Sequence, residues 1–201
     1  IDIKVAEEIN KLFFEVLIAP NFSDSALDLL KSKKNRIIIK LKSFPINKLE
    51  TRSCLSGILE QDIDDKIEKF EDFKVVTNIS PNSTKSEDLV LASIIVKHTK
   101  SNCIAIVKNR QLIGTGMGQV SRIDALNQAI EKSKKFGFDL NESCLASDAF
   151  FPFSDCVKIS HANNINSIVQ PGGSIKDQDS IDYCNKNGMS MVFSGIRHFK
   201  H

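Results

Sequence analysis

The sequence predicts an α/β fold in which helices pack against a sheet. Strand-like and helix-like segments alternate through the C-terminal half of the chain, and such alternation is typical of a sheet with helices on its faces. The length of 201 residues suits one large domain or two small ones. A hydrophobic content of 41% with 26% charged residues is that of a soluble globular protein.

The first part of the chain alternates between helix and strand patterns. Apolar periodicity and apolar runs predict, in order, a helix over 4–12, a buried strand over 13–19, a helix over 23–32, a strand over 36–41 and a strand over 52–61. Pro45 is expected to break the fourth element, and Gly57 suggests a bulge or a close backbone approach inside the fifth. Residues 62–71 are predicted to be a solvated linker, because their acidic residues lack the full ligand spacing of a metal loop.

The second part supplies most of the predicted sheet. The predicted elements are a helix over 86–98, strands over 103–107 and 111–115, a helix over 122–136, a strand ending at 149, a helix over 155–163, a strand over 167–170, a helix over 176–187 and a strand over 190–193. Ser86 and Ser121 are the candidate caps of the first two helices, and Gly137 ends the second.

Charge and cysteine usage exclude several classes of function. A net charge of +2 gives no preference for nucleic acid or for an anionic membrane, and no apolar run has the length of a membrane span. The five cysteines are odd in number and form no C-x-x-C, which argues against a disulfide framework or a zinc site. Reduced, mostly buried thiols in a cytoplasmic protein are expected. The chain opens directly in patterned sequence without a signal peptide, so a piece of a longer protein is also expected.

Two glycine-rich segments have both a functional and a structural interpretation. Gly114-x-Gly116-x-Gly118 lies between a strand and a helix, where a phosphate cradle is conceivable, but the spacing is not that of a dinucleotide fingerprint. The alternative is a strand that another backbone approaches closely. The segment 171–174, Pro-Gly-Gly-Ser, either offers backbone amides to a ligand or is a flexible turn.

An aromatic stretch between two carboxylates is the strongest candidate for a binding site. Phe150, Phe151 and Phe153 lie between Asp148 and Asp155. Aromatic faces and a carboxylate together suit a flat ring with N–H groups on its edge. Residue chemistry alone favours the alternative, in which the rings belong to the core and Ser154 or Asp155 caps a helix.

Further polar candidates lie at the ends of predicted elements. Lys97 and His98 could act as a base and a charge stabiliser, but cations placed against the C-terminal end of a helix are the favoured interpretation. Asn102 begins a strand and is placed to enter a pocket, and Arg122 at a helix N-terminus could hold a phosphate. The basic chain end, 197–201, is expected to be frayed and solvated.

Five motifs occur in order along the second part of the chain: Lys100–Asn102 (KSN), Gly114–Arg122 (GTGMGQVSR), Ser147–Phe153 (SDAFFPF), Gln170–Ser174 (QPGGS) and Arg197–His201 (RHFKH). Upstream segments fit the same pattern: Phe14–Phe22 (FEVLIAPNF) and Leu55–Asp62 (LSGILEQD). Along essentially its whole length the chain therefore resembles the C-terminal, transformylase half of the bifunctional family that joins aminoimidazole carboxamide ribonucleotide (AICAR) transformylase to inosinate (IMP) cyclohydrolase.

The resemblance implies a cytidine-deaminase-like fold, a three-layer arrangement with helices on both faces of a sheet and no zinc site. Residues 1–75 would form the tail of a first lobe and a connection, and residues 76–201 a second lobe. The implied reaction is formyl transfer from 10-formyltetrahydrofolate to AICAR, in a cytoplasmic homodimer whose sites are shared between subunits. No nucleic acid or membrane partner and no divalent metal are implied, while a requirement for a monovalent cation is left open.

The resemblance also assigns residues to the two substrates. Asn102 and Arg122 match nucleotide-binding positions, and the matches to folate-binding positions are Ile123, Phe150, Asp155, Gly172, Gly173 and Arg197. Ser154 stands where the family has a basic residue, so one charged contact to the folate is put in doubt.

The family's catalytic Lys-His pair matches nothing in this chain and is expected upstream of Ile1. Lys97-His98 corresponds to the non-catalytic equivalent in the second lobe, and the chain alone is expected to be inactive. A nucleoside deaminase is the rival enzyme, but it would need a zinc motif that the sequence lacks. A non-catalytic folate- or nucleotide-binding module is the alternative from another class.

Overall fold

The computed structural model describes residues 1–43 and 48–200, and it contains two compact units that divide between Ile63 and Asp64. The domain boundary after residue 75 stays a prediction. Pro45 and His201, to which the sequence analysis gave roles, lie outside the described residues. Within those residues, no helix combines the length and apolar character needed to cross a membrane.

The described part of the first unit contains two helices, a parallel pair of strands and a hairpin. Its elements are α1 (Ile3–Asn10), β1 (Val16–Ala19), α2 (Asp24–Lys31), β2 (Ile37–Lys40), β3 (Leu49–Cys54) and β4 (Gly57–Asp62). Ser23 caps α2, since its Oγ accepts a hydrogen bond from the Ala26 amide. The predicted buried strand over 13–19 is wrong at its start and in its burial, because Phe13 lies exposed before β1, and Val16 and Ile18 within β1 are exposed as well.

The single strand predicted over 52–61 is wrong, because β3 and β4 pair as an antiparallel hairpin. The chain reverses between Cys54 and Gly57, and Leu55 at the turn has a φ of 52°. Gly57 therefore begins the second strand instead of forming a bulge. This turn has none of the Asn-Gly or Asp-Gly pairs that identify a hairpin in sequence.

The second unit contains the larger sheet and its helices. Its elements are a short 3-10 helix (Phe70–Asp72), β5 (Lys74–Val75), α3 (Ser83–Lys97), β6 (Ile104–Lys108), β7 (Gln111–Gly116), α4 (Arg122–Lys135), β8 (Ser143–Ser147), α5 (Asp155–Ala162), β9 (Ile165–Gln170), α6 (Asp177–Lys186) and β10 (Ser190–Phe193). The predicted order of helices and strands is confirmed here, except that the sequence analysis missed the two-residue strand β5.

The strands of this unit form one mixed sheet in the order β5-β10-β9-β8-β6-β7. Strands β8, β9 and β10 run parallel to one another, while β6 is antiparallel to both β8 and β7. Strand β7 therefore points the same way as β8. As a result, the carboxyl ends of β7, β8, β9 and β10 and the amino end of β6 all lie on the same edge of the sheet.

The sheet divides the core of the second unit into two apolar layers, as alternation along β6 shows. Ile104 and Ile106 belong to a cluster with residues of α4, α5 and α6, whereas Ala105 and Val107 belong to a cluster with residues of α3. Successive side chains of a strand point to opposite faces, so α3 covers one face and the other three helices cover the second. Helices flank the sheet as predicted.

Capping side chains set the starts of α3 and α4. Ser121 caps α4 as predicted, with its Oγ 3.1 Å from the Asp124 amide nitrogen. The predicted cap of α3, Ser86, is wrong. The helix begins three residues earlier, where Asn82 Oδ1 accepts from the Lys85 amide at 3.0 Å, and the Ser86 hydroxyl instead donates to the Asn82 carbonyl.

The glycines of β7 let the backbone of α4 approach the strand. A Cβ at Gly116 would lie 1.9 Å from the carbonyl oxygen of Ala125, and a Cβ at Gly114 would lie 2.3 Å from that of Ala129. Both distances are far inside van der Waals contact. Close approach of another backbone, the structural alternative stated from the sequence, accounts for Gly114 and Gly116.

Candidate functional site

The predicted site residues gather at the edge of the large sheet where the carboxyl ends of β7, β8, β9 and β10 meet the amino end of β6. Asn102 precedes β6, and Arg122 and Ile123 follow β7 at the start of α4. The remaining residues follow β8, β9 and β10, in that order: Phe150 and Asp155, then Gly172 and Gly173, then Arg197. Ligands of open α/β sheets bind at the carboxyl ends of strands, so this edge is the candidate site.

A buried ion pair lies at the centre of this edge. Arg122 is 9% exposed and pairs through Nη1 with Oδ1 of Asp148, which is fully buried at the end of β8. The same Asp148 oxygen accepts from the Cys103 amide at 3.1 Å, so the pair ties the start of α4 to β6 and β8. Arg122 Nε and Asp148 Oδ2 are buried without a hydrogen-bond partner, which leaves a donor and an acceptor for a further polar group.

Asn102 joins the start of β6 to the loop between β7 and α4. Its side-chain Nδ2 donates to the Gln119 carbonyl at 2.9 Å, and the backbones of the two residues exchange hydrogen bonds. Asn102 is half-buried. These contacts hold Asn102 at the same edge of the sheet as Arg122, which lies three residues after Gln119 in the chain.

The three phenylalanines of the aromatic stretch have three different environments. Phe151 is fully buried in the core, Phe150 is half-buried, and Phe153 is 52% exposed with Lys176 Nζ 4.7 Å from its ring centroid. The Phe151 amide donates to the side chain of Gln170 at 2.7 Å. The stretch is therefore neither a continuous aromatic wall nor wholly core, and Phe150 is the member partly accessible at the site edge.

Asp155 is the first residue of α5, and Ser154 before it makes no side-chain cap. The Asp155 carboxylate accepts through Oδ1 from the neighbouring Cys156 amide at 2.7 Å and is half-buried. A carboxylate is favourable at a helix N-terminus, where the backbone dipole is positive. Ile123, also half-buried, packs against the core below the edge.

The glycine turn after β9 is shaped by positive backbone angles. Gly172 has a φ of 73° and Gly173 a φ of 100°, a region that residues with a Cβ rarely adopt. The Phe193 ring lies so close that a Cβ at Gly172 would come within 2.6 Å of it. The Gly173 amide donates to the Asp177 carboxylate at 2.7 Å, so in this structure α6 supplies its partner.

The prediction of a frayed, solvated tail is wrong in part, because His198 is buried and the backbone of residues 198–200 is hydrogen-bonded, whereas the side chains of Arg197 and Phe199 are exposed. The His198 amide donates to the Asp148 carbonyl at 3.0 Å. Ser101 and Lys200 exchange two hydrogen bonds, of 2.7 Å and 2.8 Å. Arg197, which is exposed, stacks its guanidinium over the ring of Phe199.

The segment predicted as a solvated linker, 62–71, contains the boundary between the two units and is mostly exposed, but two of its acidic residues contact the chain end. His198 is 3% exposed, with Nδ1 2.6 Å from Asp64 Oδ2 and Nε2 2.8 Å from Glu68 Oε1. Glu68 is itself only 3% exposed. Burial alone would lower the pKa of His198, but the hydrogen bonds and charges of Glu68 and Asp64 outweigh it and raise that pKa above its ordinary value of 6.5.

Lys97 and His98 differ in environment at the end of α3. Lys97 is 7% exposed and donates through Nζ to the Lys66 carbonyl, with Asp64 Oδ1 3.8 Å away, whereas His98 is exposed. The two side chains therefore do not form a joint acid–base site here. Lys97 belongs to the charged cluster that also contains His198.

Three residues with buried polar contacts were not predicted from the sequence. Asp148 was named only as a carboxylate beside the aromatic stretch, Gln170 lay inside a motif without a role, and His198 was placed in a solvated tail. A polar residue at the end of an apolar strand pattern was the available signal for the first two, since such a residue needs partners when it is buried. No comparable signal marks His198, because its partners are more than a hundred residues away in sequence.

Burial raises the pKa of four of the five cysteines. Burial, the largest cause in each case, raises the pKa of Cys103 to about 11 and that of Cys156 to about 12. Cys144 and Cys184 are raised to about 12 for the same reason. Within residues 1–43 and 48–200, no group of three His, Cys, Asp or Glu side chains is arranged to hold a metal ion.

Together, these observations define an α/β protein that gathers an arginine, an asparagine, a partly accessible phenylalanine and a glycine turn at the carboxyl edge of its sheet. Comparison with known proteins then identifies the family. The family model described as AICARFT/IMPCHase bienzyme matches residues 1–132, and the chain belongs to that family.

Curated relatives match along the whole chain. The bifunctional purine biosynthesis protein PurH of Bacteroides thetaiotaomicron is 53% identical over 201 residues. Proteins of the same name from Acetivibrio thermocellus and Aquifex aeolicus are 47% and 45% identical. In each case all of this chain is covered, but only 40%, 39% and 39% of the relative. The chain thus spans about two fifths of the length of these relatives.

Among solved structures, a diaminohydroxyphosphoribosylaminopyrimidine deaminase/5-amino-6-(5-phosphoribosylamino)uracil reductase from Thermotoga maritima is similar to part of the chain. The match has a TM-score of 0.39 and 17% identity, and covers 54% of this chain and 36% of that one.

Proposed function

We propose that this chain is part of an AICAR transformylase and that the carboxyl edge of its large sheet binds the two substrates of formyl transfer. The observation that carries the proposal is the convergence of all eight assigned residues on that edge, although they span residues 102–197. Relatives named as bifunctional purine biosynthesis proteins, 45–53% identical over the whole chain, support it. In this proposal the parent protein also carries IMP cyclohydrolase activity outside this chain.

The proposed nucleotide site uses Asn102 and Arg122. The unpartnered Nε of Arg122 offers a charged donor for an anionic or carbonyl oxygen of AICAR. Asp148 holds the guanidinium through Nη1, so the arginine is oriented before the ligand arrives. Asn102, fixed to Gln119, brings an amide beside the same edge.

The proposed folate site uses the loops that follow β8, β9 and β10. Phe150 supplies a partly accessible aromatic face for the pterin of 10-formyltetrahydrofolate, beside Ile123. Asp155 accepts from N–H groups on the pterin edge, Gly172 and Gly173 bring backbone close to it, and Arg197 adds a cation.

The chemistry needs groups beyond this chain. The AICAR amine is a weak nucleophile, because its lone pair is delocalised into the ring that bears the carboxamide. A proton acceptor and close orientation of the two substrates are therefore required. The resemblance places the acceptor in a Lys-His pair upstream, so we propose that residues 1–201 alone bind weakly and do not turn over.

The remaining features of the proposal follow from the resemblance. They are a cytidine-deaminase-like second lobe over 76–201 preceded by the tail of a first lobe, a homodimer with shared sites, and a cytoplasmic location. The four protonated, buried thiols are compatible with a reducing compartment. The helices on both faces of the large sheet support the proposed three-layer lobe.

Asp155→Ala in the full-length enzyme is expected to weaken 10-formyltetrahydrofolate binding by about ten- to a hundredfold, since a hydrogen bond to a charged group contributes about 1.5–3 kcal/mol. AICAR affinity should stay within about twofold, because Asp155 lies on the folate side of the edge. Isothermal titration of each ligand, with steady-state formyl transfer, measures both effects.

Asp179→Ala is the matched control, since it removes an exposed carboxylate from the first turn of another helix, α6. It should leave both affinities unchanged. Unchanged folate affinity in Asp155→Ala would remove the assigned role of Asp155. Folate or AICAR binding without any formyl transfer by the full-length protein would favour the alternative, a non-catalytic binding module.

A further inference from the structure

The charged cluster around His198 is not used by any step of the proposed reaction. It consists of Asp64 and Glu68 from the segment before β5, Lys97 from the end of α3, and His198 from the chain end. His198, Glu68 and Lys97 are all less than 10% exposed. Three buried ionisable side chains in one cluster carry a large desolvation cost, so their retention needs a reason.

With Asp64 and Glu68 ionised, the two contacts require a positively charged His198 ring. Each ring nitrogen lies within 2.8 Å of a carboxylate oxygen, Nδ1 beside Asp64 and Nε2 beside Glu68. An ionised carboxylate only accepts hydrogen bonds, and a neutral imidazole has a single N–H. Both contacts are therefore hydrogen bonds only when the ring is an imidazolium, with both nitrogens donating.

The other groups facing the ring make the cluster electrically balanced. Lys97 Nζ, 3.8 Å from Asp64 Oδ1, is the second cation beside the two carboxylates. Glu68 Oε2 is buried without a hydrogen-bond partner, so this carboxylate depends on His198 for its compensation. The His198 amide also donates to the backbone carbonyl of Asp148, whose side chain is paired with Arg122.

The cluster anchors a segment that carries a proposed ligand residue. The backbone of residues 198–200 pairs with Asp148 at the end of β8 and with Ser101 at the start of β6. Arg197 directly precedes this segment and stacks on Phe199 within it. Movement of the segment would therefore move the Arg197 guanidinium relative to the carboxyl edge of the sheet.

We infer that His198, clamped as a cation between Asp64 and Glu68, is a positioning residue that holds Arg197 in place for the folate cosubstrate. This inference rests on the proposed function, since it takes Arg197 as a folate ligand. The role of His198 is indirect: its ring anchors the chain end, and the folate meets Arg197.

The sign of the pH dependence follows from the raised pKa of His198. Because the pKa of this histidine is higher when the segment is docked, its protonation stabilises docking. That stabilisation is fully present below the ordinary pKa of about 6.5. That stabilisation is lost as pH rises through the raised pKa. Docking of the chain end should therefore weaken as pH rises above about 6.5 and through the raised pKa.

The test compares His198→Gln with the wild type in the full-length enzyme. We expect KM for 10-formyltetrahydrofolate to rise about tenfold, because Arg197 would no longer be held in place for its charge-assisted contact with the folate. The kcat and the KM for AICAR should change by less than about twofold. In the wild type the folate KM should rise as pH passes through the raised pKa, and in His198→Gln it should be flat. His161→Gln, in the last turn of α5, is the matched control.

A double-mutant cycle with Arg197→Ala separates positioning from a general structural effect. If His198 acts through Arg197, His198→Gln adds no further increase in folate KM once Arg197 is alanine. An additive increase in the double variant would overturn the inference. Asp64→Asn, at a partly exposed partner, is a milder second variant that should shift the pH profile to lower pH.

Hydrogen exchange of the His198 and Lys200 amides tests the anchor independently of catalysis. Protection should fall with rising pH in the wild type and should be lost in His198→Gln. Protection that is the same in both proteins at every pH would overturn the inference, as would loss of protection without any change in folate KM. Failure of the proposed function itself would be seen separately, as absent formyl transfer or as unchanged folate affinity in Asp155→Ala.

Discussion

Asp148→Ala is expected to lower the free energy of unfolding by about 3–5 kcal/mol, the typical cost of removing one partner from a buried ion pair. The substitution would leave the Arg122 charge, 9% exposed, without its carboxylate. It would also leave the buried Cys103 amide without the acceptor it has at 3.1 Å. Urea unfolding followed by circular dichroism measures the change.

Two further variants identify the cause of the loss. Asp148→Asn keeps an oxygen acceptor and should cost less than Asp148→Ala. Arg122→Met combined with Asp148→Ala removes both charges, and it should be more stable than Asp148→Ala alone because no uncompensated charge remains. If the loss of unfolding free energy in the double variant equalled the sum of the losses in Arg122→Met and in Asp148→Ala, the uncompensated buried charge would not be the cause.

Gly116→Ala is expected to destabilise the second unit by about 3 kcal/mol, the upper part of the usual range for overpacking. The added methyl would lie 1.9 Å from the Ala125 carbonyl oxygen and 2.8 Å from its Cα. These are backbone atoms of α4, so no side chain can rotate to relieve the clash. The helix must move away from β7, and the start of α4 carries Arg122.

Gln111→Ala, at the exposed start of the same strand, is the control and should change stability by less than about 0.5 kcal/mol. Gly116→Ala should also weaken AICAR binding in the full-length enzyme, whereas Gln111→Ala should not. Wild-type stability of Gly116→Ala would show that α4 does not approach β7 as closely as described.

Local patterns predicted the fold where local interactions determine it. The cap at Ser121 and the alternation of strands and helices after residue 100 are confirmed because caps and apolar periodicity are short-range features. The hairpin at Leu55 was missed because its turn has no Asn-Gly or Asp-Gly pair, and Gly57 was interpreted as an interruption within one strand. The start of α3 was placed three residues late, because Asn82 was available as an earlier cap.

The candidate site was predictable as a set of residues but not as a set of contacts. Motifs named Arg122 and Phe150, and the strand order brings them to one edge. The partner of Arg122 and the anchors of the chain end depend on residues far apart in sequence, such as Glu68 and His198. Periodicity carries no information about such pairs, so only the tertiary structure reveals them.

The buried thiols have a practical consequence for studying this protein. Thiolates are the reactive form of cysteine, and Cys103, Cys144, Cys156 and Cys184 remain protonated at neutral pH. Cys54, exposed at the end of β3, is the remaining cysteine. A maleimide dye should therefore attach at this single native position, which gives a fluorescent reporter on the hairpin without any engineered mutation.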